Sequence, residues 1–179
     1  KYTDEVSTKG FDQRKVAKNP ATSEALDAEQ DIAKIKRRAD FAEVYLVNDA
    51  QGKLQKIILP VHGYGLWSTL YGYMALESDL NTVTGLGFAE HGETPGLGGE
   101  VDNPNWKDKW PGKQVYRDGE VELHLIKGVV DPANAEAPWQ VDGLSGATLT
   151  SRGVTHLVQF WLGRQGYQSF IENLKDGEA

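Results

Sequence analysis

The stretch DGLSGATLTS, residues 142–151, is a turn of small and hydroxyl residues that runs straight into RGVTHLVQFWL, residues 152–162. Val154, Leu157, Val158, Trp161 and Leu162 recur at i, i+3, i+4, i+7 and i+8, one stripe of a 3.6-residue period, so a helix begins at or just after Thr148. The first turn of a helix leaves backbone N–H groups without partners and carries the positive end of the macrodipole. Read from the residues alone, the stretch is either a phosphate-friendly turn or an ordinary N-cap made by Ser145, Thr148, Thr150 or Ser151.

Upstream, the period changes from 3.6 to 2. Residues 41–47 alternate apolar with polar positions well enough for a strand and 54–61 make another, with turn chemistry at Asn48, Asp49 and Gly52 between them, which predicts an antiparallel hairpin with Pro60 at its end or on an edge. Residues 71–76 and 83–88 repeat the plan across a polar turn at Glu77–Thr82. Two such units predict an α+β fold: antiparallel β-meander sheets with helices packed on one side, in a single domain. A strand is also expected over 120–127, with Val121, Leu123 and Leu125 inward, then a surface loop over 131–138 and a short closing helix around 170–174. Trp106 and Trp110 are expected to cover a core edge. At the start, residues 1–25 read as a loosely docked polar leader, and 27–39 as a short helix with Asp27, Glu29 and Asp31 early and Lys34, Lys36, Arg37 and Arg38 late.

Two loops interrupt this pattern. His62-Gly63-Tyr64-Gly65-Leu66-Trp67 reads as a tight bend with Trp67 in the core, or as backbone brought close to something flat. The segment 91–99, HGETPGLGG, holds four glycines and a proline in nine residues and can be neither helix nor regular strand. His91 and Glu93 lack the spacing and the third ligand of a metal site. A net charge of −7 without a basic cluster interleaved with aromatics argues against nucleic acid, the absence of cysteine excludes thiolate-held metals and disulfides, and no apolar run is long enough to span a membrane.

Four pieces in the same order, GYGLWSTLYGYMALE (63–77), EHGETPGLGGE (90–100), DGLSGATLTS and FWLGRQGY (160–167), resemble the FMN-binding domain family of ion-pumping, membrane-bound electron-transfer complexes. The resemblance covers roughly residues 40–175. It implies that Thr148 carries FMN through a phosphoester bond, with Ser145, Gly146 and Ala147 leaving the phosphate room. It also implies that Asp142 is read by a separate magnesium-dependent flavin transferase that uses FAD and releases AMP. Glu93, Thr94, Gly96 and Leu97 are implied to lie near the flavin and Trp67 to be its aromatic neighbour, with no catalytic residues and no metal ligand on this chain. The implied role is a one-electron carrier that works with the other subunits of a complex running electrons from NADH to quinone with sodium export. The alternatives are the flavin subunit of the related ferredoxin:NAD complex and a flavin-free interaction module. The resemblance further implies a removed N-terminal membrane helix ahead of a 1–40 leader, the FMN-binding domain over 41–179, and a place at the bacterial inner membrane facing the periplasm. From another class, Gly143-Leu144-Ser145-Gly146-Ala147 resembles a hydrolase nucleophile elbow, but its last glycine is replaced and a meander is the wrong context.

Overall fold

The computed structural model describes residues 2–3 and 5–177; Lys1, Asp4 and the last two residues assigned above to the flavin domain lie outside the described part. In chain order the elements are α1 (Gln13–Lys18), β1 (Ser23–Ala25), β2 (Arg37–Ala39), β3 (Tyr45–Asn48), β4 (Leu54–Tyr64), β5 (Thr69–Glu77) and β6 (Val83–Glu90). There follow a 3-10 turn (Gly98–Asp102), α2 (Pro104–Lys107), β7 (Tyr116–Arg117), β8 (Glu120–Val121) and β9 (His124–Leu125). A second 3-10 turn (Ala137–Trp139), β10 (Gln140–Val141), α3 (Thr148–Leu162) and α4 (Gln168–Lys175) complete the chain. The fold is α+β, with a central antiparallel sheet in the order β3-β4-β5-β6.

Period-2 alternation places Ile57, Leu59 and Val61 of β4 and Leu70, Met74 and Leu76 of β5 on one buried face, where α3 covers them with Val154, Leu157, Val158 and Trp161. Both predicted hairpins form. Asp49 closes the first by accepting the N–H groups of Gln51 and Lys53, and Asp79 closes the second by accepting those of Asn81 and Thr82. Trp106 and Trp110 lie within the core rather than at its edge, Trp110 being completely buried.

Pro60 sits inside β4, not at its end. Tyr45 of β3 pairs with Ile58, so from Pro60 onward the β3 side of β4 has no strand beside it. The carbonyls of Pro60 and His62 are instead taken by the Tyr167 hydroxyl at 2.7 Å and the Trp161 indole N–H at 2.6 Å, and the Tyr64 N–H by the Ala33 carbonyl. An open edge tolerates proline because no ladder bond needs its missing N–H.

Three expectations are corrected. The helix over 27–39 does not form: the Asp31 carboxylate accepts the N–H groups of Ile35 and Lys36, Asp27 accepts those of Glu29 and Gln30, and Lys34 and Lys36 take positive φ. Side-chain bonds of this kind compete with helical ones and win here. The leader is docked from Phe11 onward: α1 is capped by Asp12, Arg14 reaches Glu90 and lies over the Tyr71 ring, and β1 pairs with β2. The 120–127 strand breaks in two, because the N–H groups of Glu122 and Leu123 both turn to the Val115 carbonyl; β8 then pairs with β7, and β9 runs parallel to β10.

The helix α3 meets β4 through backbone. A Cβ on Gly153 would lie 2.4 Å from the Tyr64 carbonyl oxygen and 2.9 Å from the Gly65 Cα. Helix propensity favours Gly153→Ala by about 1 kcal/mol, but no rotamer relieves a clash with backbone. Gly153→Ala is therefore expected to destabilise the fold by a net of about 2 kcal/mol, read from the shift in urea midpoint.

Candidate functional site

The buried carboxylate of Glu93 organises one end of the molecule. Glu93 is only 5% exposed. The successive N–H groups of Leu66, Trp67 and Ser68 converge on it at 3.0–3.2 Å, the Ser68 hydroxyl adds a contact at 3.3 Å, and the Thr150 hydroxyl donates at 2.7 Å. Three consecutive N–H groups around one anion form a backbone nest. Burial acts to raise the Glu93 pKa, but the bonds from Thr150 and from the Trp67, Leu66 and Ser68 backbone outweigh it, and the carboxyl is held below its ordinary value. Two glycines permit this approach: a Cβ on Gly65 would lie 2.7 Å from Glu93 Oε1, and one on Gly98 would lie 2.5 Å from Thr150 Oγ1.

Glu93 thus ties the 65–68 bend to the first turn of α3. Its own N–H is accepted by His91 Nδ1, which leaves the imidazole proton on Nε2, 2.8 Å from Asp102. Between Glu93 and Gly98 the chain reverses through Pro95-Gly96, with Leu97 N–H bonded to the Thr94 carbonyl and Gly96 at φ 77°. Leu97 then reaches across to the 143–147 turn, its Cδ2 lying 3.0 Å from where a Gly146 Cβ would stand.

The start of α3 is open. Its N-cap, Ala147, has no side chain to offer, and no side chain caps this end. Among the described residues the N–H groups of Thr148, Leu149 and Thr150 have no acceptor. Thr148 is exposed, as are Ser145 and Gly146, whereas Ala147 is buried. The other two hydroxyls of the motif are engaged: Thr150 is fully buried against Glu93, and Ser151 Oγ accepts the Leu144 N–H. Of the four capping candidates, none caps.

Trp67 is 65% exposed and Leu97 and Leu149 are about half-exposed, so apolar surface gathers around a hydroxyl and a set of free N–H donors. An exposed Trp67 corrects the reading of it as core. These features suit a phosphorylated, largely flat and apolar group: unpaired N–H groups for the phosphate and apolar side chains for the ring.

Two expected site residues turn inward instead. The Glu93 carboxylate is spent on the donors just named, and Asp142 accepts the Val130 N–H with Oδ1 while Lys109 lies 3.6 Å from Oδ2. Sequence reasoning missed the Glu93–Thr150 bond, whose partners are 57 residues apart. It also missed Leu149, which a helical projection reveals as an apolar residue off the buried stripe. Among the described residues no group of three or more potential ligands could hold a metal ion.

The profile of the FMN-binding domain family matches residues 65–163, the segment that holds the 65–68 bend, the 91–99 loop, the 142–151 turn and all of α3. The chain is 58% identical to the C subunit of the Na(+)-translocating NADH-quinone reductase of Pseudomonas aeruginosa, covering 99% of this chain and 68% of that protein. It is 49% identical to the protein of the same name from Vibrio alginolyticus, over 94% of this chain and 64% of the relative. The chain thus spans about two thirds of the length of these relatives. Among solved structures, that of Shewanella oneidensis NqrC matches with a TM-score of 0.85 at 46% identity, over 93% of this chain and 75% of that one.

Because the Glu93 pKa is depressed in the folded protein, its contribution to stability is fully present above the unfolded value, about 4.3, and is lost as pH falls through the folded value. Glu93→Gln is expected to cost about 1.5–3 kcal/mol at neutral pH. The deficit should shrink as pH falls below the unfolded value, about 4.3, toward the lower pH at which the native carboxyl protonates too. Urea midpoints for both proteins from pH 7 to pH 3 test this; a deficit independent of pH would show that the charge does not matter.

Proposed function

This chain belongs to the FMN-binding domain family, and within it to the NqrC proteins of Na(+)-translocating NADH-quinone reductases; from that premise we propose that it holds FMN covalently on Thr148 and passes single electrons between neighbouring subunits. The observation that carries the assignment to Thr148 is the exposed, uncapped start of α3, where its hydroxyl is free while those of Thr150 and Ser151 are committed inward. Thr148 Oγ attacks the FMN-side phosphorus of FAD, the pyrophosphate P–O bond to AMP breaks, AMP leaves, and the hydroxyl proton passes to a base on a separate flavin transferase. Nothing in the first turn of α3 would deprotonate the hydroxyl unaided, which is why a transferase is required.

The residues of this chain then hold rather than react. The free N–H groups of Thr148, Leu149 and Thr150 and the dipole of α3 stabilise the phosphodiester. Trp67, Leu97 and Leu149 offer apolar contact to the ring, and the Glu93 nest keeps the Trp67 bend in register with α3. Bound FMN supplies one- and two-electron redox chemistry, which the protein tunes and orients. In this reading electrons flow from NADH to quinone with sodium export in the assembled complex. In the same reading the domain works at the bacterial inner membrane and faces the periplasm. Among the described residues no helix is long and apolar enough to cross a membrane.

The hydrolase reading gains nothing: Ser145 is exposed, and among the described residues no histidine is hydrogen-bonded to it. Intact-mass spectrometry of the denatured chain, co-expressed with its flavin transferase, tests the attachment site. The wild-type protein should carry FMN less one water, Thr148→Val none, and Ser145→Ala and Thr150→Val the full adduct whenever they fold. An adduct that survives in Thr148→Val would reject Thr148.

A further inference from the structure

A second surface of this acidic chain carries the opposite sign. A cleft of about 470 Å3 opens between α1, the 31–37 loop and the ends of β4 and β5. Its walls include Arg14, Lys18, Lys34, Lys36 and Arg37, and no acidic residue lines it. Glu90 neutralises Arg14, and Arg37 is turned to the Ser23 hydroxyl and carbonyl, which leave its charge intact. Lys18, Lys34, Lys36 and Arg37 have no carboxylate partner among the described residues. The nearby Asp31 carboxylate, hydrogen-bonded to the N–H groups of Ile35 and Lys36, keeps its charge too, which leaves the four cations in excess.

Two observations separate this patch from a solvated helix end. First, the segment is no helix: Lys34 and Lys36 both sit in the left-handed region, at φ 54° and 67°, a conformation that side chains with a Cβ adopt only when the surroundings impose it. Second, the loop is fastened to the candidate flavin site. Ala33 is buried and its carbonyl accepts the Tyr64 N–H, Tyr64 leads into the Trp67 bend, and the Tyr64 carbonyl abuts Gly153 of α3. Lys34 and Arg152 of α3 both bear on His156, whose pKa is lowered by burial and then by these two cations. The positive surface therefore runs from α1 across the loop to the α3 turn that follows Thr148.

We propose that this cationic cleft is the electrostatic docking surface on which an acidic protein partner seats to exchange electrons with the group carried at the start of α3. The proposal rests on the flavin reading for its purpose but not for its existence. The overall charge of −7 would repel an acidic partner approaching from any side; a local positive field held on rigid backbone beside the exchange site overcomes this and fixes orientation.

Hexacyanochromate(III), a redox-inert paramagnetic trianion, serves as the probe with the 15N-labelled chain at low salt. Broadening should concentrate on the amides of residues 34–37, Tyr64 and Arg152, fade at about 0.5 M salt, and disappear in Lys34→Glu/Lys36→Glu. The less drastic Lys34→Gln/Lys36→Gln should weaken it. Lys53→Glu/Lys56→Glu, at or just before the far end of β4 and roughly 25–35 Å from Tyr64, should leave it unchanged. Broadening spread over all lysines, or centred elsewhere, would overturn the proposal. So would Lys34/Lys36-dependent sedimentation of the wild-type chain with phosphatidylglycerol vesicles, which would make the surface a lipid face. In the flavin-loaded chain, Lys34→Glu/Lys36→Glu should slow oxidation of reduced flavin by hexacyanoferrate(III) about tenfold and speed oxidation by hexaammineruthenium(III). Equal rates would place the cleft away from the exchange site. Failure to load flavin would sink the flavin reading alone, since the broadening experiment needs none.

Discussion

Everything at the functional end of this molecule depends on one buried anion. Glu93 lies in a glycine-rich loop with few internal bonds of its own, yet its carboxylate gathers donors from the 66–68 bend and from Thr150. Each donor would otherwise be a polar group without a partner near the core, and the carboxylate would be a buried charge without compensation. Meeting both needs at once makes the arrangement cooperative. The bend that carries Trp67, the loop that carries Leu97 and the first turn of α3 cannot move independently. Gly65 and Gly98 are small because the anion and its partners occupy the space a side chain would need.

The second constraint is the incomplete sheet. β3 covers only the first half of β4, and the exposed half would be an edge ready to pair with another chain. Trp161 and Tyr167 close it from the C-terminal helices with single hydrogen bonds to His62 and Pro60, and their rings pack 5.3 Å apart. His62 is caught between Trp161 and Tyr71, and burial, then the nearby Arg14, lower its pKa to about 4, so it stays neutral there. Edge closure and the close approach of Gly153 to Tyr64 fix how far α3 can slide along β4. The placement of Thr148 is thus inherited from the far end of the helix.

Much of this was legible in the sequence. The hairpins followed from period-2 alternation bounded by Asx turns, and the start of α3 from a 3.6-residue stripe behind a turn of small residues. The sequence misled where a side chain outbid the local pattern. Asp31 captured the backbone that charge order assigned to a helix, and the Val115 carbonyl drew two amides out of an alternating strand. The site was legible as a set of loops but not as a set of roles. Glu93 and Asp142 were expected to face a ligand or a partner enzyme, and their carboxylates face the protein, because nothing in a linear chain says that Leu66–Ser68 and Thr150 will arrive at the same point. The resemblance to the family pointed to a candidate site; the burial of each side chain separates the groups that are engaged within the protein from those that stay free.

The contrast between Thr148 and Thr150 shows how fine that assignment is. The two are the same residue type, two positions apart, in the same turn of the same helix. Two positions rotate a side chain by about 200°, so one hydroxyl must face solvent if the other faces the core. The Glu93–Thr150 bond fixes that phase, and with it the exposure of Thr148. A hydroxyl chosen this way sits where free N–H groups and the helix dipole favour an anion, at the end of the molecule that also exposes Trp67, Leu97 and Leu149. Such a site is too open to hold a flat ring by enclosure, so the covalent tether proposed for Thr148 supplies the retention that a deep pocket would otherwise provide, and leaves the ring edge accessible to a partner.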